Sequence, residues 1–488
     1  MATMADALAL HREGKLDEAG ALYDHILAAH PEQPDALHLK GVVLMQRGEL
    51  REAVRLIGQA IVLRPEDASF YSNLAAALYR LQMVEQAMQY ALRSISIDAG
   101  AFQSRMVLAQ CYEAKQQWRE AADAYCDALA VDPGNRNLIN GRLAALKALN
   151  SHDEVIEFID SLSAPMDDRL RISKSQALRE LKRFDEALSV MRECQVQVGH
   201  DWQVNMLKLM LERNDHKGAL PHGQALLEAK DTLAKQRLND TRARELRAAW
   251  PLSVPPFRPN DAEAPERNVI CFSLWGDNPK YTYNAVLNAK KVPLEYPGWS
   301  ARFYVDETVP TEIVQALLDY GARVIPVASD ARTHLKLFWR FLATDDPTVE
   351  RFLCRDCDAV VNHREYAAVE AWLSSGRKFH VMRDHPEHAE LIMAGMWGGV
   401  AGLLPRLSDQ AVEYYENHEP KWRWIDQDFL RDRVWPLIKA DCLVHDDFYM
   451  MGGECRRFPP DSELPENEHV GGYRLRFSAE QEHAAKSN

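Results

Sequence analysis

Hydrophobic and polar positions along this chain follow two different rhythms, and the change between them divides it in half. Through the first part, apolar residues recur at helical spacing in paired amphipathic segments, and the same residue types return every 34 positions. Ala19, Ala53, Ala87 and Ala121 keep this spacing, as do Tyr23, Ile57, Ala91 and Tyr125, and Gly14 with Gly48. Pro31, Pro65 and Pro133 fall on one register, with Ala99 at the intervening position. Each unit therefore predicts two helices, a small alanine letting the backbones approach and a proline stopping the second. Beyond Gly134 the register loosens: Val155, Ala187 and Ala219 continue the alanine position with two spacings of 32. Four clear units and up to three degenerate ones are expected.

The period and residue types resemble the tetratricopeptide repeat. A lone hairpin cannot bury its apolar face, so the resemblance implies an all-α solenoid over residues 1–249. Two readings of it stand: a groove holding a peptide or protein, or a spacer and dimerisation arm that makes the chain a homo-oligomer. An asparagine ladder along the first helices is missing, the equivalent positions being Leu39, Asn73 and Val107.

A proline-rich segment, 250–268, forbids helix and predicts an extended, exposed linker. After Asn268 the rhythm becomes short apolar runs alternating with helical stretches. NVICFSLWG, SARFYVDE, ARVIPVA, RFLCRDCDAVV and KFHVMRDH read as strands, with helices over Pro279 to Glu295, up to Tyr320, through HLKLFWRFLATDD and from His363 to Ser374. That alternation predicts a mostly parallel sheet covered on both faces, an α/β domain over 269–488, with ligands at the carboxyl ends of its strands.

The chemistry concentrates at Asp356-Cys357-Asp358, which closes the fourth run. On a strand, alternate residues share a face, so both carboxylates would point to one side. Such a pair suits a hard divalent cation that neutralises a diphosphate. With this motif in place, residues 269–448 resemble a GT-A-fold glycosyltransferase, in the style of the glycogenin-like family 8 enzymes. The resemblance runs through four further segments. Trp275, Asp277, Asn278 and Tyr281 match a cluster on the nucleotide base and ribose, and Arg340 matches an arginine near the donor. Asp384 matches an aspartate on the donor sugar. Ala394-Gly395 and Asp426-Gln427-Asp428 match the turn and the acceptor-side motif, Met393 replacing the usual asparagine.

The resemblance implies a nucleotide-diphosphate sugar donor, UDP-sugar favoured, and Mn2+ or Mg2+ held by Asp356, Asp358 and a late histidine. His445 is the first candidate for that histidine and His469 the second. It also implies electrostatic assistance to the leaving diphosphate, with Asp384 orienting sugar hydroxyls, and Asp426 and Asp428 near the acceptor. Retention and inversion both stay open. Trp422 and Trp424 suit either an acceptor platform or the core.

Composition narrows the alternatives. The net charge of −14 carries no basic stripe, which argues against nucleic acid. The longest nearly apolar run, Leu391 to Leu404, is too short at 14 residues to span a bilayer. Eight sparse cysteines and the lack of a secretory pattern at the first residues fit a reducing cytoplasm. Cys354 and Cys357 read as core, and the histidines from His380 to His388 as a loop lining the donor pocket. A catalytically silent repeat adaptor and a glycan or lipid-glycan acceptor are the competing expectations.

Overall fold

The computed structural model describes residues 3–163, 165–197, 199–328, 333–404, 406–418, 424–465 and 468–472. Contacts divide the chain into two compact units, Met1–Gln195 and Val196–Asn488.

In the first unit, helical hairpins span 4–29, 34–63, 68–97, 102–129, 136–161 and 168–192. Ala19, Ala53, Ala87, Ala121, Val155 and Ala187 are all fully buried, so the expected small-residue register is where helices meet. The first helices of several hairpins start on side-chain caps. Gln33, Asp67, Asn135 and Asp167 each accept from a backbone N–H of the first turn. Second helices follow a tight turn and lack such caps in most hairpins, so packing rather than capping sets their start. Stacking of successive hairpins joins their apolar faces into one continuous core from Leu37 to Cys111.

The second unit begins with helices His200–Glu212, His216–Arg237 and Asp240–Arg247 and continues into a sheet. Its strands are β1 (Asn268–Leu274), β2 (Ser300–Val305), β3 (Arg323–Pro326), β4 (Arg351–Arg355), β5 (Phe379–Arg383), β6 (Trp397–Val400), β7 (Cys442–Asp446) and β8 (Glu454–Arg456). They lie in the order β3-β2-β1-β4-β6-β5-β7-β8. The sheet is mixed: β6 runs antiparallel to both neighbours, and the other pairings are parallel. The parallel strands β1, β2, β4, β5 and β7 thus bring their carboxyl ends to one edge. Chain order reverses between β1 and β4, and the crevice outside such a switch point is where open α/β sheets bind ligands.

Two expectations change. The division falls between Gln195 and Val196, not at the proline-rich segment. Helices after residue 200 carry the repeat-like alanine, Ala219, yet bond to the sheet unit instead. Lys230 Nζ donates to Ala389 O at 2.7 Å, Trp435 Nε1 to Asp231 at 2.8 Å, and Trp250 Nε1 to Leu403 O at 2.8 Å.

The segment 250–268 is no free linker either. Phe257 stacks on Trp299 with centroids 5.9 Å apart, and Arg351 donates to Pro255 O. Buried Asn268 donates to Arg258 O at 2.7 Å and Gly298 O at 3.2 Å. Proline forbids helix here, but it leaves carbonyls free to accept, and the sheet's polar side chains use them. No helix among the described residues is long and apolar enough to cross a membrane.

Replacing Asn268 by Ala leaves Arg258 O without this donor, while Gly298 O keeps the N–H of Asn260. An unmet buried polar group costs about 1–3 kcal/mol, so the denaturation midpoint of Asn268→Ala should fall accordingly. An unchanged midpoint in chemical denaturation would show that the segment is not held by this residue.

Candidate functional site at the switch point

The site is assembled where β1 and β4 end. After β1 the chain runs through Trp275, Gly276, Asp277 and Asn278 into the helix Pro279–Glu295. Asn278 caps that helix, its side chain accepting from Lys280 N at 2.9 Å, and Pro279 fills the first turn where no N–H is needed. The loop is held from β2: Thr308 Oγ1 accepts from Gly276 N at 2.7 Å and donates to Asp306 Oδ1 at 2.5 Å. Lys336 closes the other oxygen of Asp306 at 2.6 Å. Asp306 and Lys336 both belong to this support. No motif marks either residue, and only their contacts in space show the role.

Asp356-Cys357-Asp358 lies in a turn, because β4 ends at Arg355. The expectation that both carboxylates share one strand face is therefore corrected: both lie beyond the end of β4, and they meet different cations. Asp356 Oδ1 accepts from Arg340, and Asp358 Oδ2 pairs with Lys280 Nζ at 2.9 Å. The turn is clamped by two asparagines one helical turn apart. Asn284 Nδ2 donates to Asp358 O and Asn288 Nδ2 to Ala359 O, both at 2.8 Å. Side-chain exposures of 48% for Asp356 and 30% for Asp358 leave each reachable from solvent. Cys354 and Cys357 are buried, as expected of core residues.

Arg340 stands on a 3-10 helix, Thr333–Asp345, with its backbone N–H on Ser273 Oγ at 2.9 Å. Its guanidinium is buried and bridges Asp356 to Asp426, the latter at 2.6 Å. Burial works against the charge, but the two carboxylates outweigh it and keep Arg340 protonated. Burial pushes the Asp426 carboxyl up to about 6, against the pull of Arg340. Gly395 is required here, since a Cβ would sit 2.0 Å from Asp356 Oδ2. The turn preceding β6 can thus pass directly over the carboxylate.

Asp426 belongs to this cluster, and the remaining expected residues lie apart from it. Asp426 and Asp428 sit two positions apart on the helix Ile425–Phe429, so they face different ways. Asp428 binds Arg431 at 2.5 Å instead of meeting Arg340. Asp277 is exposed, and Tyr281, exposed at 39%, has the Lys280 ammonium 5.3 Å from its ring centre. Trp424 is exposed at 43%, and Trp422 lies outside the described residues.

His445 does not join Asp356 and Asp358. It is buried on β7, its Nδ1 2.8 Å from His380 Nε2, and burial lowers its pKa to about 4. A histidine in the middle of a parallel ladder is committed to the core, which is the physical reason it is unavailable. Asp384 is also covered: Oδ2 accepts from Val470 N at 2.6 Å and lies 3.4 Å from Arg364, so it does not face an open sugar cleft. The loop expected to line a donor pocket instead brings His388 towards Asp384, and His469 joins them.

Comparison with known proteins speaks to the first unit. The family model described as tetratricopeptide repeat matches residues 10–78. The N-terminal region carries tetratricopeptide repeats. The TPR repeat-containing protein YpiA of Bacillus subtilis is 23% identical over 46% of this chain and 53% of its own length. Stress-induced-phosphoprotein 1 of Caenorhabditis elegans is 32% identical over 26% of this chain and 38% of its own. Among solved structures, the crystal structure of MamA covers 38% of this chain at 18% identity with a TM-score of 0.30. This chain spans 16% and 53% of the first two curated relatives, about half their length or less. Within the tetratricopeptide repeats, Asn73 donates to His38 at 2.8 Å and Val107 is buried, so neither belongs to an exposed asparagine ladder.

The charge network yields a prediction with a definite pH dependence. Above a pH of about 6 Asp426 is ionised and needs Arg340; below it the neutral acid does not. Arg340→Met should cost about 3–5 kcal/mol at pH 8, the usual loss for an orphaned buried charge. The loss should shrink at pH 5. For the wild-type chain the sign is opposite in origin: a carboxyl raised on folding favours the fold at low pH and subtracts stability as pH rises through 6. Denaturation midpoints of both chains at the two pH values test this, and a pH-independent difference would count against the pairing.

Proposed function

We propose that the second unit binds a nucleotide-diphosphate sugar and transfers the sugar, and that the tetratricopeptide repeats recruit a peptide or protein acceptor. One observation carries the reading: two solvent-reachable carboxylates, Asp356 and Asp358, stand in a clamped turn at the switch point, next to the capped helix that starts at Pro279. A GT-A-like arrangement is the finer form of this proposal.

The donor set suits a hard cation. Mg2+ and Mn2+ favour one or two carboxylates completed by substrate phosphates, and Asp356 and Asp358 supply those two without a histidine. When bound, such an ion adds positive charge to the leaving diphosphate. The chain's own residues do the rest. Lys280 leaves its pair with Asp358 for a phosphate oxygen. The loop Trp275 to Asn278 and the ring of Tyr281 flank the nucleotide. Arg340 positions Asp356 and Asp426, so the turn keeps its shape when the pair at Asp358 opens.

A second reading, a repeat adaptor without turnover, is favoured by the comparisons themselves, whose curated relatives are repeat proteins such as Hsp70-Hsp90 organizing protein 1 of Glycine max, 26% identical over 25% of this chain. The two readings part on one experiment. Full-length chain with a panel of UDP-sugars and Mn2+ should release UDP, slowly without acceptor. Asp358→Asn should reduce that rate about 10²-fold, since several kcal/mol of charge stabilisation are lost. No turnover of any donor would leave the adaptor.

A further inference from the structure

We propose that Asp384, His388 and His469 form a separate site for a first-row divalent transition ion, best matched by zinc. The three lie close in space though far apart in sequence, each offering one ligand atom, and these atoms are within 4.8 Å of one another. The site stands whether or not the reading at Asp356 and Asp358 holds.

The two oxygens of Asp384 do different work. Oδ2 accepts from Val470 N at 2.6 Å and lies 3.4 Å from Arg364 Nε. Oδ1 is buried with no hydrogen-bond partner, 3.6 Å from His388 Nδ1. The side chain of Asp384 is exposed by only 2%. A buried carboxylate oxygen without a donor is costly, and it faces an imidazole. That is the mark of a ligand position.

Both imidazoles suit a metal. His469 Nδ1 lies 3.0 Å from Val470 O, which selects the tautomer that leaves Nε2 with a lone pair. His388 is buried beside Asp384, its side chain only 8% exposed. His385 stacks on His469, centroids 4.6 Å apart, and braces the ring. The loop holding His388 is itself fixed, with His388 N on His385 O at 2.9 Å and Lys230 on Ala389 O at 2.7 Å.

Two nitrogens and one carboxylate oxygen favour zinc and its neighbours over Mg2+ or Ca2+, which prefer all-oxygen sites. Ligands at the usual 2.0–2.2 Å from zinc stand roughly 3.3–3.5 Å apart, so a small rotation of the rings closes the gap. Three protein ligands leave a fourth position for water or a ligand oxygen. The ion would tie the segment around His469 to the end of β5.

The test uses full-length, metal-free protein and zinc chloride in calorimetric titration, with magnesium chloride as control. One zinc per chain is expected, with no comparable magnesium binding. His388→Ala and His469→Ala should each weaken zinc at least tenfold, with circular dichroism confirming that both fold. Asp358→Asn should leave zinc affinity unchanged, which separates this site from the one at the switch point. Cobalt in place of zinc should give visible bands that the double variant, carrying both His388→Ala and His469→Ala, loses. Zinc binding unaltered in that double variant, its loss in Asp358→Asn, or no stoichiometric binding would overturn the assignment.

Discussion

The buried guanidinium of Arg340 is the constraint around which the carboxyl edge of the sheet is arranged. A charge taken out of water requires partners on more than one side; two separate stretches supply them and a third holds the backbone. Ser273 at the end of β1 holds the backbone of Arg340, Asp356 after β4 takes one nitrogen, and Asp426 takes another. Coulomb attraction at this depth exceeds what a surface pair gives, yet desolvation still raises the Asp426 carboxyl. The network therefore contributes specificity of placement more than stability. It fixes the Asp356 turn and the helix carrying Asp426 relative to β1, and Gly395 can then close over Asp356.

The same reasoning explains why the compact units part where they do. A helical hairpin must bury its apolar face, but nothing in its periodicity says against what. Ala219 keeps the repeat position and is fully buried, as in the earlier hairpins. The decisive contacts are polar and specific: Lys230 to Ala389 O and Glu390, Arg247 to Leu437 O, Asp231 to Trp435. These commit the helices from 200 to 247 to the sheet unit. Proline content keeps 250–268 free of helix and most of the segment is exposed, but exposure is not freedom. Free carbonyls along 250–268 were taken up by Arg351 and Asn268.

What the sequence made legible follows from period. The alanine register, the first five strands and the helices between them all rest on spacing. β6 escaped because Gly398 and Gly399 have low strand propensity. They are there because a Cβ at Gly398 would lie 2.5 Å from Leu353, and one at Gly399 2.4 Å from Phe379. The site was half legible. A motif says which residues are close in sequence, so Asp356 and Asp358 were found, but their directions depend on where β4 stops. Asp306, Lys336 and Lys280 entered only through space. His445 is out of reach because every residue of β7 is buried, and His388 and His469 come together only through the fold.

The two carboxylates of the turn are not equivalent, and the difference bears on how such a site can respond. Asp356 is tied to a cation that cannot leave, because Arg340 would carry its charge into a buried space with Asp426 alone. Asp358 is tied to Lys280, whose side chain is 37% exposed, in a pair 30% exposed on the acidic side. Exposed pairs of this kind are worth about 0–1 kcal/mol and exchange readily. One carboxylate is thus a fixed reference and the other a free partner. On the function proposed above, an incoming dianion with its counter-ion would meet a turn whose backbone is clamped by Asn284 and Asn288, and only a surface lysine would have to move. Preorganisation of this sort costs the site nothing at the moment of binding, since the buried network has already been assembled during folding.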